Sequence, residues 1–292
     1  MCNSHIPHAY MVATSMPTHR FHVLAWGISR PVPENVTVLK NDEWKDMEFD
    51  AAIDASWDVP TFSAKAGRKV FLMHCHHFNG EESLAFSTCD RFVTVSGHKR
   101  ASLMWKSLDP KVSVIPFGFC GTQWPIRSNR SRVKVGMMYS NVRGDKEIEE
   151  YWLKISNGFN PISIGWNNPE SLGSIAGENW DHQKQLMDEI AVGVNPVVGE
   201  TIGMSPMEMM VMGIPVVTAC SPEPWEWGFS GWNCFLSRNG PFESVDWIRD
   251  KIRFLLDYPD VADSIGMAGR QTILNRFPLL ETGKMWERVL FE

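Results

Sequence analysis

Short apolar runs rich in valine and isoleucine recur along the first part of the chain, at 21–26, 35–40, 51–56, 68–74, 91–96 and 112–117. A second set follows at 133–139, 161–166, 189–197, 214–219 and 233–237. Near-continuous apolar runs of this length are what parallel strands covered by helices on both faces leave in a sequence. Helical periodicity fills 144–156, 179–187, 205–212 and most of 242–290. The alternation predicts an α/β fold. Between the two sets, Cys120–Arg132 holds Gly121, Pro125 and the polar basic stretch Arg127-Ser128-Asn129-Arg130-Ser131-Arg132, a linker composition. The prediction is two α/β domains, 1–125 and 126–292, with the last helix packing back on the first. Ligands of such sheets bind outside the carboxyl ends of the strands, so the loops after each strand are the places to search.

Composition narrows the class. A chain of 292 residues with 43% apolar content can fill two ordinary cores. No segment supplies the ~20 uninterrupted apolar residues of a membrane helix; Met209–Cys220 is too short and is broken by Gly213 and Pro215. The six cysteines (Cys2, Cys75, Cys89, Cys120, Cys220 and Cys234) form no Cys-x-x-Cys pair, which fits reduced thiols and a cytoplasmic location. His74-Cys75-His76-His77 follows the apolar run Val70–Met73, where alternation sends neighbouring side chains to opposite faces. No metal is expected there.

Charge adds one further feature. The net charge is −6, yet from Lys99 to Arg143 nine basic residues (Lys99, Arg100, Lys106, Lys111, Arg127, Arg130, Arg132, Lys134, Arg143) face a single acid, Asp109. This is either a solvated face with a linker, or a surface that handles phosphates.

The stretch richest in chemistry is 197–217, Val-Val-Gly-Glu-Thr-Ile-Gly-Met-Ser-Pro-Met-Glu-Met-Met-Val-Met-Gly-Ile-Pro-Val-Val. It reads strand, loop, helix, turn, strand. Ser205 is placed to cap the helix, Pro206 suits its first turn, and Gly203 lets backbone come close to a ligand. Free N–H groups at such a helix start suit hydroxyls or a diphosphate. Ser205-x-x-Glu208 also fits a capping box, in which Glu208 only ties down its own helix start.

Glu200 and Glu208, with seven residues between them and followed by Gly213-x-Pro215-Val216-Val217, resemble the Glu-x7-Glu signature of retaining family-4 glycosyltransferases with the GT-B fold. The resemblance extends to Arg91–Ser96, Val112–Gly118, Phe254–Pro259, Gly266–Arg270 and Arg276-Phe277-Pro278, and covers roughly residues 68–292. It implies two facing Rossmann-like domains with a donor cleft. By the same resemblance Glu200 faces the donor sugar, and the amides of Thr201, Ile202, Gly203 and Met204 bind its hydroxyls. Glu208 accepts hydrogen bonds from the ribose, and His76, ahead of His74, stands near the sugar. A departing nucleoside diphosphate gathers negative charge while the sugar becomes cationic, so cations must face the phosphates and a carboxylate the sugar. No cofactor is required if arginine and lysine supply that charge, and a UDP- or GDP-sugar is the donor substrate.

The chain departs from the family in two places. Met137 holds the position expected for a phosphate-binding arginine, which leaves Arg143 and Lys146 as the candidate phosphate ligands. The chain opens on Met1-Cys2-Asn3-Ser4-His5-Ile6-Pro7 instead of a strand and glycine-rich loop, so the first strand is missing or short, and His5, assigned to the acceptor side, is either a surface histidine or part of a loop facing the donor. With Lys99, Arg100 and the tryptophans Trp105 and Trp124, this permits a polyanionic acceptor such as DNA carrying hydroxymethylated bases, decorated by a compact, virus-like transferase. The alternatives are a catalytically silent GT-B binding protein, a sugar-nucleotide epimerase and, last, a phosphorylase.

Overall fold

The structure is a computed structural model that describes residues 5–24, 32–39, 43–54, 65–73, 88–97, 112–128, 133–138, 146–165, 174–175, 180–196, 203–218, 226–237 and 245–292. The first elements along the chain are α1 (His5–Ser15), β1 (Phe21–Leu24), β2 (Val36–Leu39), β3 (Glu48–Asp54), β4 (Lys65–Met73), β5 (Arg91–Thr94) and β6 (Val112–Val114). There follow β7 (Lys134–Met138), α2 (Lys146–Ser156), β8 (Asn160–Ile164), β9 (Ser174–Ile175), α3 (Trp180–Asp188), β10 (Ile190–Asn195), α4 (Met204–Val211), β11 (Val216–Thr218) and β12 (Phe235–Leu236). The chain then finishes in α5 (Val245–Asp257), α6 (Pro259–Arg276) and α7 (Leu279–Phe291). Each apolar run of the sequence holds a strand. The chain divides into two compact units, Cys2–Gly118 with Phe277–Glu292, and Phe119–Arg276.

In the first unit β3, β4, β5 and β6 form a parallel sheet in chain order, and β1 pairs with β2, also in parallel. Val70, Phe71, Leu72, Phe92 and Val93 fill its centre. The segment around His5 is helix α1, not a loop. Pro7 does not oppose it, because the missing proline N–H falls in the first turn, where no intrahelical acceptor is waiting. Tyr10, Val12, Ala13 and Met16 are buried, and α1 packs on α7. The helix end is closed from a distance: the Asn35 side-chain amide donates to the carbonyls of Ala13 (2.9 Å), Met16 (3.2 Å) and His19 (3.0 Å). The turn at Gly118 is a packing point. A Cβ there would lie 2.9 Å from both the Leu279 Cα and the Thr282 hydroxyl of α7.

The second unit is built on a six-stranded parallel sheet of order β12-β11-β10-β7-β8-β9. One face carries Val135, Met137, Val192, Val194 and Val217 against Trp152 and Ile155 of α2, Ile248, Ile252 and Leu255 of α5, and Ala262 and Ile265 of α6. These are the buried runs the sequence displays, and they fix this unit's core.

Candidate functional site

Strand order decides where the second unit can bind a ligand. After β7 the chain moves to β8 and β9 on one side, then returns to lay β10 beside β7 and continues to β11 and β12 on the other. The reversal falls between β7 and β10, and a switch point of this kind is where open α/β sheets bind ligands, outside the carboxyl ends of the strands. Register aligns those ends, with Gly193 opposite Gly136 and Val194 opposite Met137. The loop after β7 leads to Lys146 at the start of α2, and the loop after β10 leads to Gly203 and α4. The carboxyl ends of β7 and β10, far apart in sequence, therefore stand side by side in one sheet.

Helix α4 starts one position earlier than its sequence suggests. Its cap is Gly203, in the left-handed region at φ 72°, and no side chain bonds the cap. Ser205 is therefore not the cap. Only glycine takes this conformation without cost, so the left-handed turn wins over the serine hydroxyl in setting the entry of the helix. The first intrahelical bond runs from the Met207 amide to the Gly203 carbonyl at 3.3 Å. A capping box needs its acid three positions after the cap, which is Pro206 here. Glu208, five positions after the cap, is thus not at the place a capping box requires.

Glu208 is 4% exposed on a helix buried all round, from Pro206 to Val211. An eight-residue helix in that environment holds its side chains to one placement. It ends in a Schellman turn: the Gly213 amide, at φ 79°, donates to the Met210 carbonyl at 2.8 Å, and the Ile214 amide to the Met209 carbonyl at 3.1 Å. Beside it, Asn195 and Thr218 end β10 and β11, buried, with their side chains 3.4 Å apart in a hydrogen bond.

Met137 lies in the core with no exposure, packed among aliphatic and aromatic side chains. The position expected for a phosphate-binding arginine is thus filled by an apolar core side chain. Lys146 is exposed as the first residue of α2, where a cation opposes the helix dipole and is disfavoured by ~0.3–1 kcal/mol. The acids Glu147 and Glu149 follow it in the same turn. Glu200, Thr201, Ile202, His76, Arg143, Lys99 and Arg100 lie outside the described residues, as do the His5 side chain and the His74–His77 run. Among the described residues no group of three or more histidines, cysteines or carboxylates could hold a metal ion.

The basic stretch is partly structural. Arg127, its side chain 5% exposed, pairs with Asp263 and donates to the Ala191 carbonyl at 3.3 Å. Lys134 pairs with Glu189. The sequence does not show these pairings because each partner lies far along the chain.

No protein-family model matches the chain, and no curated sequence does either. Solved structures do match in fold. TarM from S. aureus, solved with fondaparinux, α-GlcNAc-glycerol and UDP, superposes with a TM-score of 0.65 at 16% identity, over 80% of this chain and 52% of TarM. HepE from Anabaena, solved with UDP and glucose, gives 0.62 at 17% identity, over 76% of this chain and 71% of HepE. A glycosyltransferase from Rickettsia africae gives 0.64 at 14%, over 83% of this chain and 77% of that one. The chain spans about half the length of TarM. It shares the parallel α/β fold of these transferases, the fold class its sequence predicts.

Proposed function

We propose that the chain is a retaining glycosyltransferase that moves a sugar from a nucleoside-diphosphate sugar, a UDP-sugar first, to a hydroxyl acceptor. The observation that carries this is the unit β10–loop–α4–β11 at the strand-order reversal. A left-handed glycine there opens a buried helix that carries Glu208 at 4% exposure. Structures of the same fold hold UDP, or UDP with glucose, in agreement with a UDP-sugar donor.

In this reading the amides of Thr201, Ile202, Gly203 and Met204 receive the sugar hydroxyls, and Glu208 accepts from the ribose. Glu200, with His76, stands by the anomeric carbon, where a carboxylate favours the oxocarbenium-like transition state. The diphosphate is met by Arg143 and by Lys146 at the head of α2. A cation placed against its own helix dipole is explained by an anion that binds both. No bound cofactor is required. On the acceptor side we retain DNA carrying hydroxymethylated bases, reached from Lys99, Arg100 and the N-terminal segment. The burial of Met137 favours a second reading, a silent protein of the same fold that has lost its phosphate arginine.

Thermal stabilisation by UDP, GDP and their sugars separates these readings. Donor present at about 100 times its dissociation constant adds ~2.7 kcal/mol, which raises the unfolding temperature by several degrees. Glu208→Gln, which keeps the shape of the side chain, should lose most of that shift. No shift with any nucleotide selects the silent protein. The anomeric configuration of the transferred sugar, read by proton NMR, tests retention, and binding of modified DNA that does not weaken as salt rises would count against a DNA acceptor.

A further inference from the structure

Arg270, on α6, lies outside the donor motif but reaches its helix. The Schellman turn satisfies the Met209 and Met210 carbonyls of α4, and the next two are met from elsewhere. The Arg270 guanidinium donates through Nη1 to the Val211 carbonyl, and the Arg127 backbone amide donates to the Met212 carbonyl at 3.0 Å. The same guanidinium donates to the Trp124 carbonyl at 2.8 Å and, through Nη2, to the Gly121 carbonyl at 3.4 Å. Among the described residues no carboxylate pairs with it. Its charge is answered by carbonyl dipoles, one of them at the negative end of a helix.

Gly121 and Trp124 belong to the connector that begins where the chain enters the Phe119–Arg276 unit, and Arg270 stands just before the chain leaves that unit at Arg276. One side chain therefore ties the start of the connector, the end of α6 and the last turn of α4. We propose that Arg270 is a positioning residue of the donor site. It clasps the C-terminal turn of α4 to the connector and so sets where Gly203 and Glu208 stand further up the same helix. An α4 of eight residues is only ~12 Å long, too short to bend, so a shift at its clasped end is carried to its start. Lysine cannot replace the clasp, because a point charge does not span three carbonyls as a planar fork does. The bearing on the donor rests on the glycosyl-transfer reading above; the clasp itself does not.

The test compares wild type, Arg270→Met and Arg270→Lys by amide hydrogen exchange without nucleotide and by UDP titration calorimetry. In Arg270→Met the amides of 121–124 and 207–214 should exchange at least ~10-fold faster, while those of α2 and α7 stay within about twofold. The UDP dissociation constant should rise about tenfold, as loss of a hydrogen bond to a charged group implies. Arg270→Lys should fall between the two. Unchanged exchange in both segments, or exchange that rises equally throughout the Phe119–Arg276 unit, would overturn the clasp. If UDP binds neither wild type nor variant, the donor-site part falls with the transferase reading, and the exchange pattern still decides the clasp.

Discussion

Replacing Gly266 by alanine sets two effects of known size against each other. In an open helix interior the change gains about 1 kcal/mol of helix propensity. In α6 the added Cβ would lie 2.9 Å from the Gly213 carbonyl carbon and 3.2 Å from the Pro215 nitrogen, and closer still to the Gly213 oxygen. Ordinary contacts between such atoms are ~3.5–4.0 Å, so something must move by ~0.5–1 Å. Nothing near can turn aside. The facing atoms are backbone, held by the paired bonds of the Schellman turn and by the positive φ of Gly213. Overpacking costs about 1–3 kcal/mol, and an unyielding backbone partner puts this case near the upper end. The clash therefore wins, with a net loss of about 2 kcal/mol. For a unit of this size that lowers the unfolding temperature by ~4–8 °C. Differential scanning calorimetry with urea unfolding measures it, and the same variant should bind UDP more weakly, since the displaced turn ends the helix of Glu208. An unfolding temperature equal to or above that of wild type would refute the close-packing argument.

Arg127→Met should destabilise by about 1–3 kcal/mol in urea unfolding, because it strands Asp263 and the Ala191 carbonyl. Iodoacetamide should label Cys120 before Cys89 and Cys234, as followed by mass spectrometry. The Thr122 hydroxyl holds the Cys120 thiol below its usual range, whereas burial pushes Cys234 up to about 12. A thiol whose folded pKa is raised contributes stability that is whole below its unfolded pKa, near 9.0, and is lost as pH climbs toward about 12. Stability should accordingly fall by ~1.4 kcal/mol per pH unit across that window, and Cys234→Ala should remove this part of the slope.

Much of the second unit was legible because its signals are local. The apolar runs at 133–139, 189–197 and 214–219 mark β7, β10 and β11, and Gly213-Ile214-Pro215 marks the turn that ends α4. The head of α4 was misread by one position because a serine in plain view competes with a glycine whose left-handed φ leaves no trace in composition. Helix α1 was missed because two histidines and a proline mask it, and its closure comes from Asn35, beyond any local window. Arg270, Arg127 and Gly118 were legible only as spacing, since their partners lie far away along the chain. That β7 and β10 end side by side follows from strand order, which periodicity does not contain.

Helix α7 closes the chain, yet it belongs with the first unit, where it lies on α1. On a ribosome the order of completion is then inverted. The later unit, Phe119–Arg276, is continuous and can finish folding as soon as α6 emerges. The earlier one must wait with the surface under α1 open until α7 is made, so a chain cut short before α7 would injure the half that was synthesised first.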